Sequence, residues 1–205
     1  MTVLGWTQDA ADLPCGVHFH HRGGWKILVA TNTSMHTARD RLALQVACFD
    51  AGICFLPTAP AQDVSLCDAI DTVQSAALGK LWRRLVNHGQ FSLLLRHTPP
   101  QDPAAGGGRG WLLARKAQQD QQDRRDTLLK DIAKRVDLPA TPARHATRTT
   151  QCDFLVPRAD AKRFRDDITC IVNGVDGPKD MSLCVTGLWP PFGFARLTPA
   201  PEVTA

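Results

Sequence analysis

The stretch His97-Thr98-Pro99-Pro100-Gln101-Asp102-Pro103-Ala104-Ala105-Gly106-Gly107-Gly108-Arg109-Gly110 divides the chain near its middle. Its prolines fix φ and remove amide donors, and its glycines add backbone entropy, so neither a helix nor a central strand persists through it. The stretch reads as a linker over 98–110 between two small domains, 1–97 and 111–205. At ~150 residues per domain, 205 residues accommodate one large domain or two small ones. The Gly triplet invites a phosphate-loop reading, but the Gly-Lys-Ser/Thr ending and a buried strand ahead of it are missing.

Short elements fill the first half. Val3 to Trp6 and Trp25 to Thr31 read as strands, the second running into a turn at Asn32-Thr33-Ser34. Thr37 or a neighbour caps a helix from about Ala38 to Phe49, with Leu42, Val46 and Phe49 on its apolar stripe. Ile53 to Leu56 is a buried strand stopped by Pro57. Asp63 caps a second helix, whose Leu66, Ile70, Val73, Ala77 and Leu81 recur at helical spacing. Asn87-His88-Gly89 ends it, and Phe91 to Leu95 follows as a strand. The order β-β-α-β-α-β predicts an α+β domain: a ferredoxin-like antiparallel sheet with helices over it, in two layers.

The second half opens with a long helix, Trp111 to Val136, closed by Leu138-Pro139 and Pro142. Gln151 to Val156 is a strand with Cys152, Phe154 and Val156 on one face and Asp153 and Leu155 on the other. Pro157 opens a helix whose Ala161, Phe164, Ile168 and Ile171 share a face. Asn173-Gly174 caps it, Asp176-Gly177-Pro178 turns the chain, and Ser182 to Trp189 is a strand stopped by Pro190-Pro191. A long helix plus a β-α-β half of a ferredoxin-like unit results, with a frayed tail from Thr198.

Composition narrows the function. Lys and Arg number 24 against 20 Asp and Glu, a net +4, too small an excess to mark a nucleic-acid binder. No apolar run approaches the ~18 residues that span a bilayer. Met1 to Trp6 carries no basic n-region and acidic Asp9 and Asp12 follow, so a cytoplasmic chain is expected. The seven cysteines are scattered without a C-x-x-C pair, which fits small buried hydrophobes in a reducing compartment.

Candidate chemistry is sparse. His18 and His20 would share one face of a strand as metal ligands do, yet no Cys, Asp or Glu lies near and Arg22 repels a cation; His18, His20 and His21 are expected in a solvated loop. Cys48 and Cys54 fall on apolar faces, where a thiol stays protonated and inert. A ferredoxin-like sheet raises an RNA-binding module as the alternative, but the Lys/Arg-Gly-Phe/Tyr motif is absent and so is any tyrosine. A small cytoplasmic enzyme is a weaker alternative, for want of paired carboxylates, a nucleophile elbow or metal spacing. Arg158, Lys162, Arg163 and Arg165 alternate with Asp160, Asp166 and Asp167, the pattern of a solvated helix face or of an acidic partner's docking site.

Several segments resemble the GvpF/GvpL family of gas vesicle accessory proteins. Val185-Thr186-Gly187-Leu188-Trp189-Pro190-Pro191-Phe192-Gly193-Phe194 is similar to the family's closing "LTGPWPPYSF". Phe154-Leu155-Val156-Pro157 and the helix after it look like its "FLVP" unit. Gly110-Trp111-Leu112-Leu113-Ala114-Arg115-Lys116 resembles the "GxYLLxRR" opening of its long helix. Leu13-Pro14-Cys15-Gly16-Val17, His36 and Phe55-Leu56-Pro57 are fainter likenesses, and Thr58-Ala59-Pro60-Ala61 stands where the family has Arg-Phe-Gly-Thr. The resemblance implies a non-enzymatic, cofactor-free role in building the gas vesicle, with the hydrophobic shell protein and other accessory proteins as partners, and neither nucleic acid nor membrane.

Two surfaces qualify as partner contacts. Trp189, Pro190, Pro191 and Phe192 form either a structural anchor or an exposed docking segment. Gln118 to Thr127 contains no apolar residue, so the long helix is expected to dock at its two ends and cross solvent between. Its Asp120, Asp123, Arg124 and Arg125 then make either a plain solvated spacer or a polar docking surface.

Overall fold

The computed structural model describes residues 2–9, 12–31, 37–61, 64–73, 76–97, 108–174 and 181–196. The expected turns at Asn32-Thr33-Ser34 and Asp176-Gly177-Pro178, His36, the Asp63 cap, the linker residues 98–107 and the tail from Thr198 lie outside these residues. The described chain divides into two units, one drawn from Met1–Gln90 with Leu188–Ala205, the other from Phe91–Gly187. This division differs from the expected boundaries, because the end of the chain joins the first unit and the strand expected to finish the first domain enters the second sheet.

The first unit is built on β1 (Thr2–Thr7), β2 (Val17–Arg22), β3 (Trp25–Ala30) and the two-residue β4 (Leu56–Pro57). They lie in the order β2-β3-β1-β4, each neighbouring pair antiparallel. The three histidines expected in a loop are therefore on a strand. Gly23 and Gly24, at φ 55° and 80°, form a two-residue turn with both φ positive, which pairs Arg22 with Trp25 and fixes the register of β2. Val17 and Phe19 then fall on the core face, and an edge position tolerates the polar residues alternating with them.

Helix α1 (Ala38–Asp50) begins at Thr37, as expected, in a reciprocal box: the Thr37 hydroxyl accepts from the Asp40 amide and the Asp40 carboxylate accepts from the Thr37 amide. Its inward face differs from the apolar stripe expected. Arg41, Gln45, Cys48 and Phe49 are buried, whereas Leu42 is exposed. Backbone accounting explains the inversion. The Gln45 amide donates to Leu4 O at 2.8 Å and Thr58 O at 2.9 Å, and Arg41 Nε donates to Pro60 O at 2.7 Å. A two-residue β4 leaves carbonyls at its end without ladder partners, and α1 supplies the donors.

In the second helical segment the described residues form α2 (Leu66–Val73) and α3 (Ala76–Leu85). Ser65 caps α2, its hydroxyl accepting from the Asp68 amide at 3.1 Å. The buried positions are Ala69 and Val73, then Leu78, Trp82 and Leu85. The five-residue step from Val73 to Leu78 shifts the helical phase, so the single stripe expected through Ala77 and Leu81 does not form. Leu28 and Ala30 pack with Cys48 and Phe49 of α1, while Trp25, on the opposite face of β3, stacks edge-on against Trp82 at 5.7 Å. Trp6 Nε1 donates to Ala69 O at 3.1 Å. Helices thus cover both faces of this sheet, giving three layers where two were expected.

The second unit carries β5 (His88–His97), α4 (Gly108–Val136), β6 (Arg144–His145), β7 (Thr149–Pro157), a 3-10 turn (Arg158–Asp160), α5 (Ala161–Asn173) and β8 (Met181–Trp189). Sheet order is β6-β7-β5-β8. The β7-α5-β8 unit is split by β5, the ferredoxin-like arrangement, and the fold class is α+β throughout. Gln90 to Leu93 are buried in succession, as suits a central strand covered on both faces, and this central place explains why β5 belongs to the second sheet. Phe164 of α5 stacks on Phe91 at 4.9 Å and on Phe154 at 5.8 Å. Ile168 is buried beside it on the expected face.

Candidate partner-binding surfaces

The Trp189–Phe192 segment ends β8 and is packed with the first unit. Pro190 and Pro191 are buried, Trp189 and Phe192 half-buried. The backbone folds into tight turns: Phe192 N donates to Pro190 O at 2.7 Å, and Phe194 N and Ala195 N both donate to Pro191 O at 3.0 Å. Gln90 Oε1 accepts from Gly193 N at 2.7 Å, and the Arg84 guanidinium lies 5.9 Å from the centroid of buried Phe194. Leu188 packs on Phe49 and on Gly89, where an added Cβ would stand 2.5 Å from the Leu188 side chain. Only a glycine allows that approach. These contacts hold the segment within the first unit, with one half-buried ring on each side of the buried prolines.

Helix α4 departs from its expected plan. Ala114, Gln118, Gln122, Arg125, Leu129, Ile132 and Val136 recur at three- and four-residue steps and are all buried or half-buried, so they define the inward face. The polar midsection therefore lies partly against the protein and does not cross solvent freely. Asp120, Asp123 and Arg124 are exposed, but Arg125 is buried, and its Nε has no hydrogen-bond partner among the described residues. Asp123 accepts from Gln119 Nε2 at 2.9 Å, and Asp126 Oδ1 lies 3.3 Å from His145 Nε2. The other expected docking point is also overturned. Trp111 is 43% exposed, and Leu112 and Leu113 are 62% exposed, so the apolar opening of α4 is on the surface and the helix docks through its C-terminal half.

The charged face of α5 is mixed. Arg163 pairs with Asp167 at 3.7 Å, one turn on, while Arg165 donates to Gly187 O at 2.8 Å and lies over the Phe91 ring at 5.5 Å. A concavity of about 290 Å³ opens between the end of α4 and α5, with Val136, Phe164, Ile168 and Ile171 among its lining residues and Arg135 and Asp160 bordering it.

A buried polar cluster escaped the sequence reading altogether. The Asp153 carboxylate on β7 is fully buried; its Oδ1 accepts from Ser92 Oγ at 2.6 Å and Gln151 Nε2 at 2.7 Å, and its Oδ2 pairs with Arg144. Thr141 Oγ1 accepts from the Asp153 amide at 3.1 Å. The one signal available was Asp153 itself, a charge beside the apolar run Phe154 to Val156. Thiol chemistry is unfavourable at the buried cysteines: burial pushes Cys48 and Cys152 up from 9.0 to about 11, so both are protonated at neutral pH. Cys54 is half-buried, its thiol donating to Asn87 Oδ1 at 3.1 Å. Among the described residues no group of three or more His, Cys, Asp or Glu is placed to hold a metal, and no helix is long and apolar enough to cross a membrane.

No family model matches the chain, and no curated protein matches it by sequence. Its fold, however, has close counterparts among solved structures. The gas vesicle protein GvpF from Anabaena sp. PCC7120 superposes with a TM-score of 0.72 at 13% identity, over 96% of this chain and 96% of that one. GvpF from Microcystis aeruginosa superposes with a TM-score of 0.69 at 12% identity, over 96% of this chain and 98% of that one. At these identities the likeness is one of fold, and it extends over both units.

Proposed function

We propose that this chain is a gas vesicle accessory protein of the GvpF/GvpL family, which binds the hydrophobic shell protein while the vesicle is being built. The observation that carries the reading is the coincidence of two independent likenesses. The fold matches GvpF over 96% of the chain, and the segments at Gly110–Lys116, Phe154–Pro157 and Val185–Phe194, at the opening of α4, the end of β7 and the end of β8, resemble the family's motifs.

In this reading the protein works by contact and catalyses nothing. A shell subunit with a large apolar surface aggregates unless that surface is covered. An accessory protein that buries roughly 800 Å² on each partner forms a specific complex and releases the subunit when the growing wall offers a larger apolar contact. The place of action is the cytoplasm, on gas vesicles, with other accessory proteins as further partners.

Two measurements test the proposal together. The tagged full chain, co-expressed with the shell protein of its own organism, should retain that protein through purification. A strain lacking this chain should form fewer buoyant vesicles and recover them on complementation. A chain that retains no shell protein, in a strain whose vesicles form normally without it, would refute the reading.

A further inference from the structure

Among the described residues, the opening of α4 holds the largest cluster of exposed apolar side chains. Trp111 lies one helical step before Ala114 and so continues the inward stripe of α4, yet it is 43% exposed, and Leu112 and Leu113 on the adjoining faces are 62% exposed. Elsewhere among the described residues, Leu42 at 37% is the one other large apolar side chain that is exposed. Three consecutive apolar side chains cover about 200° of a helix at 100° per residue, so no rotation of α4 buries them all against its own sheet.

The charge around them is one-sided. Between Gly108 and Gln119 the helix carries Arg109, Arg115 and Lys116 and no carboxylate. The Arg115 guanidinium stands 5.4 Å from the Trp111 ring centroid, which places a cation at the border of the apolar patch. That charge discriminates among occupants. If two copies paired antiparallel through this patch, centred on Leu112 so that apolar met apolar, Arg109 of each would oppose Arg115 of the other. Self-association through this face is therefore repulsive.

We propose that Trp111, Leu112 and Leu113 anchor a protein partner whose docking face is apolar and bordered by carboxylates, with Arg109, Arg115 and Lys116 meeting that acidic border. Tryptophan and arginine are the residue types that dominate interface energies. The assignment rests on the gas vesicle reading for the partner's identity, the shell protein, and differs from it in naming the surface. It sets aside both the Trp189–Phe192 segment, which is packed, and the Asp120–Arg125 midsection, whose Arg125 is buried.

The experiment uses the tagged full chain with the shell protein as probe. One variant combines Trp111→Gln, Leu112→Gln and Leu113→Gln; a second combines Arg109→Glu, Arg115→Glu and Lys116→Glu. Both are expected to melt like the parent and to capture shell protein at least about tenfold more weakly, with parental capture falling as salt is raised. If the glutamine variant melts early, the charge-reversed variant decides. Parental capture by the charge-reversed variant, or by a glutamine variant that melts like the parent, overturns the surface assignment and leaves the gas vesicle reading standing. A parent that captures no shell protein overturns both. Two other occupants have their own signatures, each of which overturns the proposal. A parent that sediments as a dimer, made monomeric by the glutamine variant, would mean a second copy. Binding to phosphatidylglycerol vesicles, lost in the same variant while shell-protein capture persists, would mean a lipid surface.

Discussion

Removing Asp153 should destabilise the second unit, and the cost can be worked from its surroundings. The carboxylate has no exposure to solvent, whereas the Arg144 side chain paired with it is 40% exposed. Breaking a buried pair by removing one partner costs ~3–5 kcal/mol. Here the surviving partner is half in water and readily resolvated, so the lower end applies to Asp153→Ala. The charge left behind is cheap, but Ser92 Oγ and Gln151 Nε2 lose the acceptor that now holds them at 2.6 and 2.7 Å, at ~1–3 kcal/mol for each donor left buried. About 3 kcal/mol is the expected total, a fall in midpoint of roughly 6–12 °C for a chain of this size.

The controls separate charge from hydrogen bonding. Asp153→Asn keeps one oxygen for Ser92 and Gln151 but turns an amide donor toward Arg144, so its cost should lie between that of Asp153→Ala and the parent. Ser92→Ala removes the bond donated to Asp153 and the one accepted from Gln151 Nε2 at 3.2 Å, and should cost ~1–3 kcal/mol. Denaturant unfolding of Arg144→Ala, Asp153→Ala and the double variant closes a cycle, in which groups in direct contact should couple by at least about 0.5 kcal/mol. If Asp153→Ala unfolds within about 0.5 kcal/mol of the parent, or the cycle shows no coupling, the cluster is not what stabilises β7 and the reasoning fails.

Gly89→Ala should cost ~1–3 kcal/mol, because the new Cβ would lie 2.5 Å from the Leu188 side chain and 2.9 Å from Phe49 in a packed site; a neutral thermal melt would show that this packing is slack. The buried thiols give an alkaline effect of known sign. In the unfolded chain they ionise near 9.0, in the fold near 11, so the folded state holds more protons in that window and stability falls as pH rises from 9 to 11. The fall is up to about 1.4 kcal/mol per pH unit for each thiol, and a Cys48→Ala, Cys152→Ala variant should flatten the slope of denaturation midpoints against pH; an unchanged slope would contradict the assignment. Charge reversal at Asp120 and Asp123, both exposed, should change stability by no more than about 0.5 kcal/mol per site, and a large loss on thermal melting would mean that this face of α4 is covered.

What the sequence made legible was whatever follows from local chemistry. Thr37 and Asp40 announce the start of α1 because a capping box needs only those two side chains and the intervening turn. Phe164 and Ile168 announce the inward face of α5 because apolar residues at helical spacing have one place to go. Two of the departures have a different cause: each turns on a polar group whose partner is remote in sequence. Arg41 and Gln45 face inward because the carbonyls of Leu4, Thr58 and Pro60, beside and just after the two-residue β4, accept from them. Asp153 is buried because Ser92, 61 residues away, and Arg144 meet it there. Neither fact can be read from periodicity, which scores polarity as exposure.

Helix α4 shows the error in its sharpest form. Ranked by polarity, Gln118 to Thr127 should face water and Trp111 to Leu113 should face a core; Arg125 is buried and the three apolar residues are exposed. The inward stripe is set by phase with Leu129 and Ile132, the residues that dock the helix, and every residue in phase with them is carried inward whatever its polarity. A helix of 29 residues rises about 43 Å at ~1.5 Å per residue, longer than the roughly 30 Å of a nine-residue strand such as β7 at ~3.3 Å per residue. Anchored at its C-terminal half, α4 leaves Trp111, Leu112 and Leu113 exposed at its start. An apolar surface exposed there is the physical reason to look for its partner outside this chain.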